Sequence, residues 1–441
     1  MQFKKTLLAV ACLAAGSAMA ATPAADIAIS SGASASKNNL KLALANRCPG
    51  QLGEFISGGN ISTYVCAPAA SFANANAPTI AEYAAAGSVR FTGTVFAELR
   101  LNVSNGSFTS ICLLAGWPSP SACPAADLYL DPATNALAVR PVGSTVVGGL
   151  TDVERAGFDP LVTAGVVLPL GTTTVSAQFG QTFGVAVSND LYAAMFSDQQ
   201  GTGKLPVGCV VGDTAKPECV PVIGKPQMTT IMYNQVGNAA QTRGANFLAS
   251  GVASGTTLKY GRRVDTSGTQ AAAQQYFLGT VCIPAAAHVI VPQPAPIPGP
   301  TVLGALSVFG MGSTGNARAL LNGTTFPSSP NHAIAVLSGE NNQTGETWKW
   351  LRVGGMAIGE TAQPAEGGVT VTNTNTALDG RYDFWFLSRI VRPTAPSSVA
   401  FWNSIVLGFG AVPINTTRGL FRTSETTFTK GAANSCTPAA S

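Results

Sequence analysis

Apolar and polar positions along this chain follow two alternating periods. Asp26-Ile27-Ala28-Ile29-Ser30 is a short, largely apolar run of strand character. It yields to the small residues Ser31-Gly32-Ala33-Ser34-Ala35-Ser36. From Asn38 to Asn46, Leu40, Leu42, Ala43 and Leu44 then stand among polar residues, which predicts a helix. Strand, small-residue turn and helix open an α/β unit. Val89 to Val103 reads as a strand broken by Asn105-Gly106-Ser107, and Thr145 to Gly149 leads into Leu150-Thr151-Asp152-Val153-Glu154. Phe183 to Ser188 predicts a strand, Asp190 to Phe196 a short helix, and residues 197–228, with their Gly and Pro, a loop. Pro292 to Pro300 cannot be an inner strand and reads as an extended surface connector. Val369 to Leu378 is polar and turn-prone, whereas Tyr382 to Val391, rich in aromatic and branched residues, is a strand. Helical and strand segments alternate without an internal repeat, so the expected class is α/β.

One apolar run belongs to no fold. Lys4 and Lys5, the stretch Thr6 to Gly16 and the small residues Ala18-Met19-Ala20 form a secretory signal, with cleavage expected after Ala20. The run is too short to span a bilayer, and Cys12 sits too early in it, with Ala9 three residues before, to mark lipid attachment. The expected location is the periplasm or the exterior.

Composition narrows the function. Only 10% of residues are charged, and the net charge of +4 falls to +2 once Lys4 and Lys5 leave. No basic run interleaves with aromatic residues, so a nucleic-acid partner is not expected. Removing Cys12 leaves eight cysteines, and export favours disulfides over metal or redox roles. Close spacing suggests Cys48–Cys66, Cys112–Cys123 and Cys209–Cys219, with Cys282–Cys436 following by elimination, although spacing alone leaves other connectivities open.

Chemistry concentrates in Arg262-Arg263-Val264-Asp265-Thr266-Ser267-Gly268-Thr269-Gln270, which opens a run of good helix formers. The first amides of a helix lack internal acceptors, and the macrodipole places positive charge there. Amides, hydroxyls and an arginine fork converging at one point describe an oxyanion site. A plainer reading stays open: Ser267 caps the helix and Arg263 pairs with Asp265. Ala33-Ser34-Ala35, the turn from Gly106 and Ser107 to Ser110, and Thr151-Asp152 likewise place small donors or one acid after a strand, where open α/β sheets collect ligands. Asp152 is the odd member, since a carboxylate repels an anion unless that anion donates a proton to it. Monohydrogen phosphate can donate one; sulfate cannot. Alternatively, Asp152 caps a helix from Val153.

Catalytic and metal patterns are weak. His288 and His332 are the only histidines, and no Walker-type loop, HExxH or GxGxxG occurs. Trp348, Trp350 and Trp385 suit a core as well as a ligand surface. No cofactor or metal is expected.

Together these segments resemble the phosphate-binding protein of bacterial ABC phosphate importers, a type II periplasmic-binding-protein family. The resemblance follows segment order over most of the mature chain. The best match is Arg262-Arg263-Val264-Asp265-Thr266-Ser267-Gly268-Thr269 to a family RRxDGSGT, with Thr266 replacing a Gly. Gly32-Ala33-Ser34-Ala35 is similar to the family's opening turn, Ser107 to a serine in a Gly-rich turn, and Thr151-Asp152 to its Ser-Asp. Phe108 and Ala35 depart from the pattern, and family members lack this many cysteines. The resemblance implies two lobes, residues 21–178 with 375–441 and residues 179–374, closing on phosphate. Ala33, Ser34, Ala35, Ser107, Asp152, Arg263, Ser267, Gly268 and Thr269 would contact it, and Asp265 would hold Arg263. It also implies a non-enzymatic monomer that delivers its ligand to ABC importer membrane subunits. The rival expectations are a secreted or surface structural protein reusing the fold and, third, a phosphate-ester hydrolase.

Overall fold

The computed structural model describes residues 27–34, 37–47, 52–57, 60–66, 97–116, 128–132, 136–158, 170–214, 216–234, 237–279, 299–341, 343–354, 356–357, 382–395 and 420–425, with the single residues 123, 134, 161, 293, 377 and 402. Outside them lie the signal segment, Ala35, residues 89–96, His288, Cys48, Cys282 and Cys436, and most of 292–300 and 369–378. Among the described residues no helix is long and apolar enough to cross a membrane.

In chain order the strands are β1 (Ile27–Ser31), β2 (Leu52–Ser57), β3 (Ile61–Cys66), β4 (Ala97–Asn102), β5 (Leu128–Asp131), β6 (Ala136–Val139), β7 (Thr145–Thr151), β8 (Thr172–Ser188) and β9 (Val222–Ile223). There follow β10 (Leu258–Arg263), β11 (Thr301–Leu303), β12 (Leu306–Met311), β13 (Ala333–Ser338), β14 (Trp348–Trp350), β15 (Arg352–Val353), β16 (Met356–Ala357), β17 (Trp385–Pro393) and β18 (Leu420–Arg422). The α-helices are α1 (Lys37–Arg47), α2 (Thr109–Leu114), α3 (Asn189–Gly201), α4 (Lys225–Met232), α5 (Ala239–Arg243), α6 (Gly268–Leu278) and α7 (Thr314–Leu321).

The α/β class expected from the sequence is the architecture observed. One mixed sheet runs in the order β11-β12-β10-β13-β8-β17-β7-β1-β4-β3-β2, with β14 and β18 also paired to β8. Its centre is β8, 17 residues long. The C-terminal part of β8 pairs antiparallel with β13, from Phe183 to Val187. Opposite its other edge lies β17, antiparallel from Thr172 to Thr182. Beyond β17, β1 runs parallel to both β7 and β4. Beyond β13, β10 runs parallel to both β13 and β12. Two parallel sets therefore flank a long antiparallel pair, and each set has its own carboxyl ends.

Burial explains the strand sequences. Every residue of β10, β12 and β13 is buried, so the apolar runs of β12 and β13 show no period of two. Helix α1 presses Leu40, Ala43 and Leu44 against Tyr64, Leu99, Leu101 and Ile390. Trp348, Trp350 and Trp385 are core residues, as is Phe108, whose ring lies 5.2 Å from that of Phe158. Apolar runs matched elements well: β1 and α1 fall within a residue of expectation. Two readings need correction. The strand expected at 183–188 begins eleven residues earlier, at Thr172, because Gly180 is a close-packing site rather than a break: a Cβ there would lie 2.3 Å from the Phe421 ring. The loop expected at 197–228 holds the end of α3, strand β9 and the start of α4. Helix α4 begins Lys225-Pro226, and Pro suits the first helical turn, where its missing N–H costs nothing.

Two of the expected disulfides are present, Cys112–Cys123 and Cys209–Cys219, with Cα atoms 5.5 Å and 5.2 Å apart. Cys66 is also disulfide-bonded; its expected partner Cys48, and the pair Cys282–Cys436, lie outside the described residues.

Candidate functional site

The carboxyl ends of the two parallel sets meet. After β4 the chain turns through Gly106 and Ser107 into the six-residue helix α2. After β10 it turns through Asp265 and Thr266 into α6, with Ser267 at the N-cap position. Hydrogen bonds sew the two turns together: Thr266 Oγ1 donates to the Asn105 carbonyl at 2.5 Å, and the Phe108 amide donates to the Thr266 carbonyl at 3.0 Å. Contact is so close that two glycines are required. A Cβ at Gly106, whose φ is +87°, would lie 2.6 Å from the Thr266 carbonyl oxygen. One at Gly268 would lie 2.3 Å from Ser107 Oγ and 2.6 Å from Asp152 Oδ2.

Asp152 follows β7 at the same end of the sheet and is only 4% exposed. Ser107 Oγ donates to Asp152 Oδ2 at 3.0 Å, while the buried Oδ1 has no hydrogen-bond partner. Asp152 precedes a single 3-10 turn, Arg155–Phe158, rather than a helix that it could cap from Val153. Burial pushes its carboxyl up to about 7, and the charge of Glu340 adds to the shift; the Ser107 hydrogen bond and Arg263 oppose it.

Arg263 is the buried cation of this cluster. Its Nε donates to the Met311 carbonyl at the end of β12, at 3.1 Å, and its Nη1 to Thr314 Oγ1 at the start of α7, at 2.9 Å. Burial lowers its guanidinium to about 10, against the raising influence of Asp152 and Glu340. The expectation that Asp265 holds Arg263 is corrected. Adjacent residues of a strand face opposite sides, so Asp265 meets Arg262 instead, at 2.7 Å. The Arg263 backbone amide is held by Gln270 Oε1 at 3.1 Å.

The remaining expected residues divide. Ser267 takes the N-cap position, but its side chain makes no capping bond, and with Thr269 it is buried at the head of α6. The cap reading is thus right about position and wrong about the hydroxyl. Ala33 is withdrawn as a donor, because its only donor, the amide, is bonded to the Leu150 carbonyl at 2.7 Å. That bond follows from the close approach of Gly32, where a Cβ would meet the same carbonyl oxygen at 2.1 Å. Ser34 is half-buried, with its carbonyl accepting from the Lys37 amide at 3.2 Å; Ala35 lies outside the described residues. Sequence reading missed Thr314 and Glu340. Ser313-Thr314 before helix formers was a visible cap signal, and Ser313 does accept from the Asn316 amide. Nothing in the sequence joins Glu340 to Arg263.

Among the described residues no group of three or more His, Cys, Asp or Glu could hold a metal ion. His332 is buried, and desolvation lowers its pKa. A separate cavity of about 410 Å3 is bordered by Gln199, Lys204, Gln227, Arg243 and Asn246 among others, and by none of the residues of the cluster above.

No protein-family profile matches the chain, and no curated protein is significantly similar to it in sequence. Among solved structures it is similar to a protein from Clostridium perfringens described as a phosphate ABC transporter substrate-binding protein with bound phosphate. The TM-score is 0.42 at 12% identity, over 90% of this chain and 99% of that one.

Proposed function

We propose that this chain is an exported solute-binding protein that holds an oxyanion, inorganic phosphate, between the two halves of its sheet. The observation that carries the reading is the buried Oδ1 of Asp152, which lacks a partner in a cluster that also contains a buried arginine. A carboxylate of this kind is costly unless something satisfies it. A ligand that is both an anion for Arg263 and a proton donor for Asp152 does both jobs. Monohydrogen phosphate has these properties; sulfate would leave two acceptors face to face.

In this reading one lobe, residues 21–178 and 375–441, supplies Ser107 and Asp152, with Ser34 at its edge. The other, residues 179–374, supplies Arg263, Ser267, Gly268 and Thr269. The first amides of α6 would bind ligand oxygens, and hinge closure would bring the lobes together. No bond is made or broken, and the loaded protein would pass its ligand to an ABC importer.

Calorimetric titration of the oxidised protein, stripped of carried-over ligand, with phosphate and then sulfate tests the proposal. Saturable heat with phosphate and none with sulfate is expected. Silence with both anions from a folded sample would refute it and favour the surface or structural reading.

A further inference from the structure

The cavity of about 410 Å3 that the phosphate cluster does not touch is bordered by residues between Asp198 and Ser250. Its size lies in the usual range for a small-molecule site, and its walls are braced. Gln199, near the end of α3, spends its whole amide on Val222 of β9, donating to the carbonyl at 2.7 Å and accepting from the amide at 2.8 Å. Between α3 and β9 the Cys209–Cys219 disulfide closes the connection, with Phe196 and Leu205 packed in the same small core. Asp198 Oδ1 accepts from the Ser250 amide at 3.0 Å and also from its hydroxyl, which ties α3 to the segment beyond Phe247.

A count of donors and acceptors shows what these walls leave unspent. Asn246 Oδ1 accepts from Arg243 Nε at 3.1 Å, and its Nδ2 donates to the carbonyls of Ser250 and Val252. The Asn246 carbonyl accepts from Arg243 Nη2 at 3.2 Å. Gln227 Oε1 accepts from the Gly224 amide at 2.9 Å. Among the described residues, Arg243 Nη1, Gln227 Nε2 and the Lys204 ammonium have no hydrogen bond or ion pair, and Asp198 Oδ2 is an acceptor left over. Two cations and a surplus of N–H donors call for a ligand that brings negative charge and acceptors. Val222, Phe247 and Leu248 add an apolar wall. A cation just past the end of α3 also suits the helix dipole. That role does not account for Arg243, whose guanidinium two bonds to Asn246 hold at the cavity.

We propose that this cavity is a second ligand site, for a small aliphatic acid carrying a hydroxyl or ammonium beside its carboxylate. The carboxylate takes Lys204 and Arg243, the adjacent donor takes Asp198 Oδ2, and the aliphatic body lies against Phe247 and Leu248. The site is independent of the phosphate reading, since Ser107, Asp152 and Arg263 do not border it.

Calorimetric titration of the full oxidised chain with leucine and with α-hydroxyisocaproate tests the proposal. Isocaproate, which lacks the adjacent donor, and leucinamide, which lacks the carboxylate, are the controls. Saturable heat is expected from at least one of the two substituted acids, and the tighter of them tells ammonium from hydroxyl. Both controls should bind more weakly. Lys204 is exposed and its side chain holds nothing in the fold, so Lys204→Met should stay folded. It should lower affinity for the acid roughly tenfold or more, the scale of a charged hydrogen bond, and leave phosphate binding unchanged. Silence from both acids at concentrations on the order of 10 mM would overturn the proposal. So would a control that binds as tightly as the acids, an unchanged affinity in Lys204→Met, or displacement of the acid by phosphate. Acid binding by a chain that takes up no phosphate would sink the phosphate reading and leave this site standing.

Discussion

The ends of β7 and β10 each carry a carboxylate close to an arginine and use it differently. After β10, Asp265 is one-third exposed and meets Arg262 at 2.7 Å. After β7, Asp152 is almost wholly buried, takes one hydrogen bond from Ser107, and leaves Oδ1 without a partner. The first carboxylate is satisfied within its own turn. The second depends on groups from elsewhere in the chain: Ser107 after β4, Arg263 on β10 and Glu340 after β13. A carboxylate that closes its own ion pair locally is a strut, whereas one left open where two halves meet is a receptor for something with a proton to give.

The largest effect is expected at the arginine shared by the second arrangement. Arg263→Ala would remove the buried cation whose charge acts on the buried Asp152, and breaking a buried charge pair in this way costs about 3–5 kcal/mol. Urea unfolding should show that loss, and phosphate titration should lose its heat. An unchanged midpoint would mean that Arg263 does not balance the Asp152 carboxylate.

Asp152→Asn should act through pH. The folded carboxyl is raised to about 7 from an ordinary 3.8, so between these values the folded chain holds a proton that the unfolded chain has lost. Parent stability should therefore fall as pH rises from about 4 to 7. The loss is on the order of 4 kcal/mol and is complete above neutrality. Asparagine does not titrate, so the variant should lack that slope and admit sulfate more readily. A parallel slope in both proteins would show that the carboxyl is solvated and the comparison misdrawn. Gly268→Ala is smaller in stability, about 1–3 kcal/mol of overpacking, but a Cβ there must displace both Ser107 and Asp152. Phosphate affinity should drop while the far-ultraviolet spectrum is kept.

Legibility followed sequence distance. The turn-and-helix signal of Ser267-Gly268-Thr269 could be read because an N-cap, a glycine and a run of helix formers are all local, and α6 starts at Gly268. The Asp152–Ser107 contact was foreseen only as two separate strand ends; the hydrogen bond spans 45 residues. Glu340 was invisible, because the β10–β13 pairing that brings it near Arg263 joins residues more than 70 positions apart. Arg263 and Asp265 failed for another reason. They are close in sequence, yet strand alternation sends Arg262 and Arg263 to opposite faces, and a string of letters does not show which of them faces the acid. Helix α4 was hidden because a Gly and a Pro read as breakers where they serve as an N-terminal start.

The smallest effect separates the two carboxylates most cleanly. If Asp265 held Arg263, as the family pattern implies, Asp265→Asn would loosen the anion-binding arginine and weaken phosphate binding about as much as a lost charged contact. In the observed arrangement Asp265 holds Arg262, while Arg263 is fixed independently by the Met311 carbonyl and Thr314. Arg262 also keeps its bond from Nη1 to the Arg263 carbonyl when Asp265 is neutralised. A partly exposed ion pair contributes about 1 kcal/mol or less, so Asp265→Asn should shift the unfolding midpoint slightly and leave phosphate affinity within about twofold of the parent. An affinity loss as large as that of Arg263→Ala would restore Asp265 to the site and place both arginines in one network. A small stability change with intact binding would leave Asp152 as the carboxylate that answers to the ligand.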